Sequence, residues 1–422
     1  MTGQEQDRSR TFRIDLWATI VAYAVALLMI VLATQLHAQT YTVLHNFAGS
    51  DGDSPQAGLT LDRAGNLYGT TRYGGSYNAG TVFKVTRQGS GWIFTPLYDF
   101  RGGSDGKSPD SRVVFGPDGS LYGTTTYGGG YQVGVVFKLQ PSASACKTAL
   151  CPWTETVLYS FTGQSDGGVP EGDLVFDQAG NIYGTTFAGG QGDCVPLYTG
   201  CGAVYELTPS QGRWNATVLH TFTGLSDGGS PTSGAIFDQA GNLYGTTYVG
   251  GAYSLGTVFE LTPNGSGWTE NVLHNFAAGS DGASPESGLT FDSSGDLYGV
   301  TAFGGSHTYG TAFELQAMND GFSYSILYNF GLESETPVPT LTLDSAGNLY
   351  GTAQSGGTGN VGAVFELTPS AGSWNYISLH DFTFSSGGYP LGNVVLDAGG
   401  NLYGTTPYGG TGEDGVVFEI TP

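Results

Sequence analysis

The chain of 422 residues is poor in basic side chains. It has 13 Lys and Arg against 36 Asp and Glu, which gives a formal net charge of −23, and the stretch from Trp214 to Pro422 contains neither Lys nor Arg. Nucleic-acid phosphates are bound through clustered basic side chains. The composition therefore excludes a nucleic-acid partner, and it disfavours an anionic membrane surface for the same reason. Acidity of this degree is typical of a soluble exported protein.

Long apolar runs are also scarce, and one uncharged run, Leu16 to Thr34, stands near the start of the chain. It follows three arginines, Arg8, Arg10 and Arg13. This pattern predicts an export element over residues 1–38, either a signal peptide cut after Ala38 or an uncleaved membrane anchor. Because basic residues stay on the cytoplasmic side, we expect residues 39–422 to be extracytoplasmic: secreted, periplasmic or at the cell surface. Membrane contact is expected only through an uncleaved N-terminal segment.

Cysteine is limited to four residues, in two closely spaced pairs. Cys146 and Cys151 form one pair, and Cys194 and Cys201 form the other. Neither loop contains a histidine, so a zinc site lacks ligands. In an exported protein such pairs predict two local disulfides, one across each loop.

A seven-residue phrase, GNLYGTT, recurs with small changes along the rest of the chain. Its copies begin at Gly65, Gly119, Gly180, Gly241, Gly295, Gly347 and Gly400. The intervals of 52 to 61 residues lie in the length range of propeller blades. Abundant Gly (71 residues), Tyr (25) and Phe (23) favour short strands joined by tight turns and leave little room for helix.

Each repeat unit contains four strand candidates bounded by turn residues. In the first unit they are residues 57–62, 65–71, 80–86 and 92–100. The last unit ends after its third candidate, and the missing fourth has its counterpart in TVLHNF, Thr42 to Phe47. Residues 39–422 are thus predicted to form an all-β domain, a seven-bladed β-propeller of four-stranded blades. The N-terminal strand closes the ring, which leaves no open edge, and we expect a monomer.

The phrases SDGGSP, GNLYGTT, YGG and GTVFELTP resemble those of the bacterial Gloeo/Verruco (GloVer) repeat proteins. The resemblance covers Tyr41 to Pro422. It implies an exported repeat protein, and it brings no activity or catalytic residue with it. The D-x-x-G-N-L-Y phrase is also similar to the blades of NHL-type propellers, which is a likeness of fold alone.

Candidate ligand-binding residues are found where charged side chains break the repeat. Arg112 and Asp173 stand in the slot that Gly58 occupies in the first unit, and Asp110 and Glu171 stand in the slot of Gln56. Aromatic side chains near the Gly-Gly loops are expected on the same face: Tyr73, Tyr127, Phe187 and Tyr248. The charged residues could bind a ligand or form a surface salt bridge, and the rings could stack on sugars or brace their loops.

No metal site or cofactor site is predicted. One Asp recurs in the S-D-G turn of five units: Asp51, Asp105, Asp166, Asp227 and Asp281. One slot of the fourth strand alternates between His and Tyr, with His45, His220, His274 and His380. One such residue per blade spreads the ligands around a ring, so we interpret the Asp as a turn residue bonded to its own backbone and the His as a half-buried aromatic.

The sequence favours a non-catalytic binding or scaffold module for a glycan or another envelope component. No catalytic residue is assigned. One alternative is an extracellular hydrolase or lyase that uses Glu171, Asp173 and Arg112 at the mouth of the channel. The other alternative is a structural surface coat without a ligand.

Overall fold

The computed structural model describes residues 39–141 and 153–422, except 195, 197 and 266. These residues form seven antiparallel sheets arranged as the blades of a β-propeller, as the repeat predicts. Residues Tyr41–Ile420 make up one compact unit. The predicted export element and the Cys146–Cys151 loop lie outside the described residues. Within the described residues, no helix has the length and apolar character needed to cross a membrane.

Each blade starts beside the central channel with a strand of two residues. These first strands are Thr60–Leu61, Val114–Phe115, Val175–Phe176, Ile236–Phe237, Thr290–Phe291, Thr342–Leu343 and Val395–Leu396. The second strands carry the repeated phrase, and they are Leu67–Thr71, Leu121–Thr125, Ile182–Thr186, Leu243–Thr247, Leu297–Thr301, Leu349–Ser355 and Leu402–Thr406.

The two outer strands of each blade are longer. The third strands are Thr81–Gln88, Val135–Pro141, Ala203–Ser210, Thr257–Asn264, Thr311–Met318, Ala363–Ser370 and Val416–Thr421. The fourth strands are Gly91–Asp99, Trp153–Ser160, Arg213–Thr221, Gly267–Asn275, Gly321–Asn329, Ser373–Asp381 and, in the seventh blade, Thr40–Asn46. The sixth blade has one extra strand, Glu335–Pro337, which also pairs with its second strand. A 3₁₀ turn covers Gly279–Asp281.

The repeated phrase is explained by a turn and by one close contact. Asp62 accepts hydrogen bonds from the backbone N–H of Ala64 (2.8 Å) and of Asn66 (2.9 Å), and from the Asn66 side chain (2.7 Å). Gly65 has a φ of +81°, which favours glycine. Gly69 is required because a Cβ there would lie 2.6 Å from the ring of Phe83. The phrase therefore fixes the turn between the first two strands and leaves room for the core.

The core between blades is a ring of paired aromatic side chains. A fully buried Phe at the end of each fourth strand packs edge-on or tilted against a buried ring in the third strand of the next blade. The pairs are Phe47–Phe83, Phe100–Phe137, Phe161–Tyr205, Phe222–Phe259, Phe276–Phe313, Phe330–Phe365 and Phe382–Phe418, with centroids 5.0 to 5.4 Å apart. Seven equivalent contacts hold the blades around the channel.

The predicted ring closure is confirmed. The N-terminal strand Thr40–Asn46 pairs with the last strand of the chain, Val416–Thr421, and completes the seventh blade. Phe47 follows this strand and packs on Phe83 of the first blade at 5.3 Å. The closing contact is thus built from the same parts as the other six.

Candidate functional site

A polar cavity lies at one end of the central channel, which we call the mouth cavity. It has a volume of about 270 Å³ and is lined mainly by the residues that come just before the first strand of every blade. Its charged lining consists of Arg72, Asp110, Arg112, Glu171, Asp173 and Glu286. A second cavity of about 450 Å³ shares Arg112 and Asp173 and continues along the first strands, where Val175, Ile236 and Phe291 make it more apolar.

The structure brings the four predicted charged residues together at this cavity. Arg112 and Asp173 pair across the second and third blades, with Arg112 Nε donating to Asp173 Oδ2 at 3.0 Å. The backbone N–H of Arg112 donates to the other carboxylate oxygen at 2.9 Å. The salt bridge that the sequence left open as an alternative is therefore present, and both side chains remain about one-third exposed to the cavity.

Arg72 is a further residue of the mouth cavity that the sequence reasoning missed. Its Nη1 lies 3.3 Å from Asp110 Oδ2 and donates to Gln56 Oε1 at 3.0 Å. Its Nε donates to the hydroxyl of Tyr73 at 3.1 Å. Asp110 is thereby held from two sides, because Thr126 Oγ1 also donates to Asp110 Oδ2 at 2.7 Å.

Glu286 is the second missed residue, and it stands in the same repeat slot as Asp110 and Glu171. Within the described part of the chain, the side chains of Glu171 and Glu286 have no hydrogen-bond donor and no ion-pair partner within 4 Å. Both carboxyl groups face the cavity as free acceptors. In each case the sequence signal is a carboxylate that breaks a slot held elsewhere by Gln56, Thr232, Val338 and Leu391.

Burial changes the acidity of these carboxyl groups. It raises the pKa of Asp110 to about 6, although Arg72 and the hydrogen bond from Thr126 act in the opposite direction. Burial and the charge of Asp110 raise the pKa of Glu171 to about 7, against the effect of Arg72. Burial also raises the pKa of Glu286. The mouth cavity thus holds carboxyl groups that change charge close to neutral pH.

The four predicted aromatic residues surround the mouth cavity, and none of them lines it. The hydroxyls of Tyr127 and Tyr198 are 2.7 Å apart, and Phe187 packs edge-on against Tyr198 with centroids 5.8 Å apart. Tyr73 accepts the hydrogen bond from Arg72, and Tyr248 is near enough to Glu286 for that charge to add to burial in raising the Tyr248 pKa. The observed contacts are those of rings that brace loops and charged neighbours.

The disulfide predicted between Cys194 and Cys201 is present, with sulfur atoms 2.10 Å apart. It closes the loop in which Tyr198 lies, and the hydroxyl of Tyr198 contacts that of Tyr127. The predicted disulfide between Cys146 and Cys151 lies outside the described residues.

The recurring Asp and His residues meet in the turns of this face. Asp51 accepts a hydrogen bond from the backbone N–H of Ala48 at 2.9 Å and lies 2.8 Å from Nε2 of His45. The half-buried His45 stacks on Phe94 of the next blade, with centroids 3.9 Å apart. The turn contact differs from the prediction, because Asp51 bonds to an N–H three residues earlier instead of two residues later. Among the described residues, no three His, Cys, Asp or Glu side chains are placed to hold a metal ion.

A family model, the Gloeobacter/Verrucomicrobia repeat, matches residues 30–198, 147–341 and 271–422 of this sequence. The chain belongs to this repeat family. Each matched span covers several of the blades described above, and the charged residues of the mouth cavity are departures from the repeat within this chain. No curated protein is a significant match to the sequence.

Solved structures related to this repeat protein share its fold at low sequence identity. An ancestral GH74 enzyme is 12% identical with a TM-score of 0.53, covering 88% of this chain and 48% of that chain. A protein provisionally assigned as a 6-phosphogluconolactonase from Bacteroides fragilis NCTC 9343 is 15% identical with a TM-score of 0.48, covering 82% and 87%. A protein of unknown function from Dyadobacter fermentans DSM 18053 is 10% identical with a TM-score of 0.43, covering 81% and 98%. The likeness to the GH74 enzyme is a likeness of fold alone and carries no function.

Proposed function

We propose that this repeat protein is an exported binding module that holds a small polar ligand, such as a unit of a glycan or another envelope component, in the mouth cavity. One observation carries the proposal. Five charged side chains interrupt two slots that are otherwise small or neutral, Arg72 joins them from a third slot, and all six line the same cavity of about 270 Å³. A concave site with a few polar groups at the opening of a ring is a common form of ligand site.

The lining suits a ligand with several hydroxyl groups. Carboxyl groups of Glu171 and Glu286 are free to accept hydrogen bonds, and Thr232 and Asn393 add a hydroxyl and an amide. Val338, Pro339 and Leu391 form an apolar part of the wall. A sugar ring presents hydroxyls at its edge and C–H groups on its faces, so both kinds of surface have a counterpart.

The disulfide between Cys194 and Cys201 supports an extracytoplasmic location, since structural disulfides persist in oxidising compartments. The export element predicted over residues 1–38 agrees with this location. An exported module with a polar cavity would meet glycans of its own envelope or of the surroundings.

A glycan array probed with the purified full-length chain tests the proposal. We expect binding to a limited set of glycans, and we expect the Glu171→Gln variant to weaken it by about tenfold, because a hydrogen bond to a charged group contributes about 1.5–3 kcal/mol. The matched control is Glu413→Gln, since Glu413 is exposed on a loop outside the cavity. If both variants lose the same amount of glycan affinity, or if Glu171→Gln leaves the affinity unchanged, the glycan binds outside the mouth cavity.

An extracellular hydrolase or lyase is the second candidate. The observation in its favour is Glu171, whose raised pKa of about 7 suits a general acid. Asp173 is held by two hydrogen bonds from Arg112, and Asp110 is held by Arg72 and Thr126, so the partner carboxylate would be Glu286. Mass spectrometry of glycans incubated with the protein distinguishes the candidates: a binding module returns them unchanged, whereas an enzyme gives products that disappear with Glu171→Gln.

A further inference from the structure

The charges of the mouth cavity do not balance. Its two arginines face four acids, so the formal net charge is −2 when all the acids are ionised. Each arginine already has its own partner: Arg72 lies 3.3 Å from Asp110, and Arg112 lies 3.0 Å from Asp173. Among the described residues, Glu171 and Glu286 have no ion-pair partner within 4 Å, although the charge of Arg72 acts on Glu171 from a greater distance.

The later blades supply no Lys or Arg to fill this gap. The fourth to seventh blades contain neither residue type, because Arg213 in the third blade is the last Lys or Arg of the chain. The carboxyl groups of Glu171 and Glu286 line the same cavity, and the charge of Glu286 adds to burial and to the charge of Asp110 in raising the Glu171 pKa. The sector of the mouth between the third and fifth blades therefore has carboxyl groups without a matching Lys or Arg.

A second observation points to a missing positive partner. Oδ1 of Asp110 is buried and has no hydrogen-bond donor among the described residues, in a side chain that is only 8% exposed. Leaving a buried acceptor without a donor costs free energy. Glu171, which is likewise surrounded by protein, also lacks a donor. Oδ1 of Asp110 is closed off from the cavity, so the carboxyl groups that a ligand with donors can reach are those of Glu171 and Glu286.

The geometry also limits the kind of cation. Among the described residues, no group of three carboxylates or other ligands converges as a metal ion requires. An ammonium group needs fewer partners, since it has three donors and can be held by two carboxylates. The remainder of the cavity offers Thr232, Asn393 and the apolar wall of Val338, Pro339 and Leu391.

We infer that the mouth cavity recognises a free primary ammonium group on a hydroxylated ligand, an amino sugar, with Glu171 and Glu286 as the partners of the ammonium. This inference rests on the proposed function, and it names the ligand class of that same site. The apolar wall argues against a simple diamine, because a second ammonium group would lie against Val338 and Leu391 without a carboxylate.

Isothermal titration calorimetry of the full-length chain with the β-1,4-linked disaccharide of glucosamine tests this inference. The N,N′-diacetylated disaccharide is the matched ligand, because acetylation removes the charge and leaves the sugar frame. We expect the free amine to bind at least about tenfold more tightly than the acetylated form, and Glu171→Gln and Glu286→Gln each to weaken the free amine by about tenfold. Circular dichroism checks the fold, and Glu413→Gln should bind as the wild type does.

A second arm separates the two sources of a primary ammonium group. We expect 1,4-diaminobutane to bind more weakly than the glucosamine disaccharide, because it has no hydroxyl for Thr232 or Asn393. Binding of the diamine as tight as that of the disaccharide would overturn the amino-sugar assignment.

Equal affinity for the free and the acetylated disaccharide, or affinity that survives both Glu→Gln changes, would overturn the inference. Two further outcomes separate a wrong ligand class from a wrong proposed function. A neutral or acidic glycan that binds the wild type and is lost in a Thr232→Val variant would leave the binding module intact and exclude the amine. A protein that binds neither these disaccharides nor any glycan of the array would exclude both.

Discussion

The hydroxyl oxygens of Tyr127 and Tyr198 lie 2.7 Å apart and join two loops that are 71 residues apart in sequence. Tyr198 belongs to the loop closed by the disulfide between Cys194 and Cys201, and its ring also meets Phe187 edge-on. A covalent link at the rim thus holds an aromatic contact between the second and third blades, beside the mouth cavity.

The paired change Cys194→Ser with Cys201→Ser should lower the free energy of unfolding by up to about 2.5 kcal/mol, because opening so short a loop restores limited chain entropy to the unfolded state. Chemical denaturation of the two proteins measures it. Serine replacement is preferable to a reductant, which would also act on Cys146 and Cys151. Tyr198→Phe with the disulfide intact is the control, and it should cost about 1 kcal/mol for the lost hydrogen bond. A Ser variant that unfolds during purification would show a larger role for the disulfide than this.

The contact between Phe47 and Phe83 closes the ring, so we expect a substitution of Phe47 to lower the free energy of unfolding strongly. Phe47→Ala should cost about 3–5 kcal/mol, since Phe47 is fully buried against Phe83 and its removal leaves a cavity. Deletion of residues 39–47 should go further and expose the edge of Val416–Thr421 to association. Denaturation and light scattering report the two effects.

Phe384→Ala is the matched control for the closing contact, because Phe384 is 48% exposed. It should change the free energy of unfolding by about 0.5 kcal/mol or less. A Phe47→Ala variant that is as stable as this control would contradict the importance of the closing contact.

The fold could be predicted because the same pattern of strands and turns recurs at nearly regular intervals along the sequence. A turn at Asp62, a glycine at Gly69 and a buried Phe83 recur in almost every unit, and each has a local physical cause. Ring closure could also be predicted, because the last unit lacks a fourth strand and residues 42–47 have the sequence pattern of one. Repetition thus converts local patterns into a global architecture.

The site could be predicted only in part, because a break in a repeat is visible only where the slot is otherwise uniform. Asp110 and Arg112 stand out against small or neutral residues. Arg72 was missed because its slot already varies, with Thr126, Phe187 and Tyr248 in other units. That slot lies two residues before Gly-Gly, whereas Tyr73 and Tyr127 lie one residue before it.

Neighbouring positions of an extended chain point in opposite directions, so grouping Tyr73 and Tyr127 with Phe187 and Tyr248 joined rings with different surroundings. The contact between Tyr127 and Tyr198 carries no sequence signal at all, because it joins two side chains that are brought together only by the ring.

Replacing the buried Tyr205 with Phe is expected to stabilise the protein. Tyr205 stands where the other blades have Phe, it is fully buried, and its hydroxyl has no hydrogen-bond partner among the described residues. Tyr205→Phe should therefore raise the free energy of unfolding by about 1 kcal/mol or more, since the cost of burying an unpaired hydroxyl disappears. Differential scanning calorimetry or denaturant titration measures the change.

Tyr183→Phe in the same blade is the control with the opposite sign. The hydroxyl of Tyr183 donates to Glu206 at 2.7 Å, so its removal leaves a carboxylate without that donor and should cost about 1 kcal/mol. If both Tyr→Phe changes destabilise the protein, an unrecognised partner satisfies Tyr205.

The carboxyl group of Glu270 is expected to make the free energy of unfolding depend on pH. Its Oε1 is buried and has no partner among the described residues, and burial together with the charge of Asp227 raises its pKa to about 7. The corresponding residue of the next blade is Tyr324, which stacks on His274 with centroids 3.7 Å apart. Glu270 thus occupies an aromatic position with a carboxyl group whose proton burial holds more tightly than usual.

The pKa of Glu270 is higher in the folded than in the unfolded chain, so the folded state holds its proton more tightly. This contribution to stability is present below pH of about 4.5 and is lost as the pH rises to about 7. Glu270→Gln cannot titrate, so the variant should gain stability relative to the wild type over this range, by about 1 kcal/mol or more at pH 8. Denaturant titrations of the two proteins at pH 5 and pH 8 measure the difference. A wild-type and Glu270→Gln pair whose difference is constant between these two pH values would mean that the carboxyl group of Glu270 is solvated.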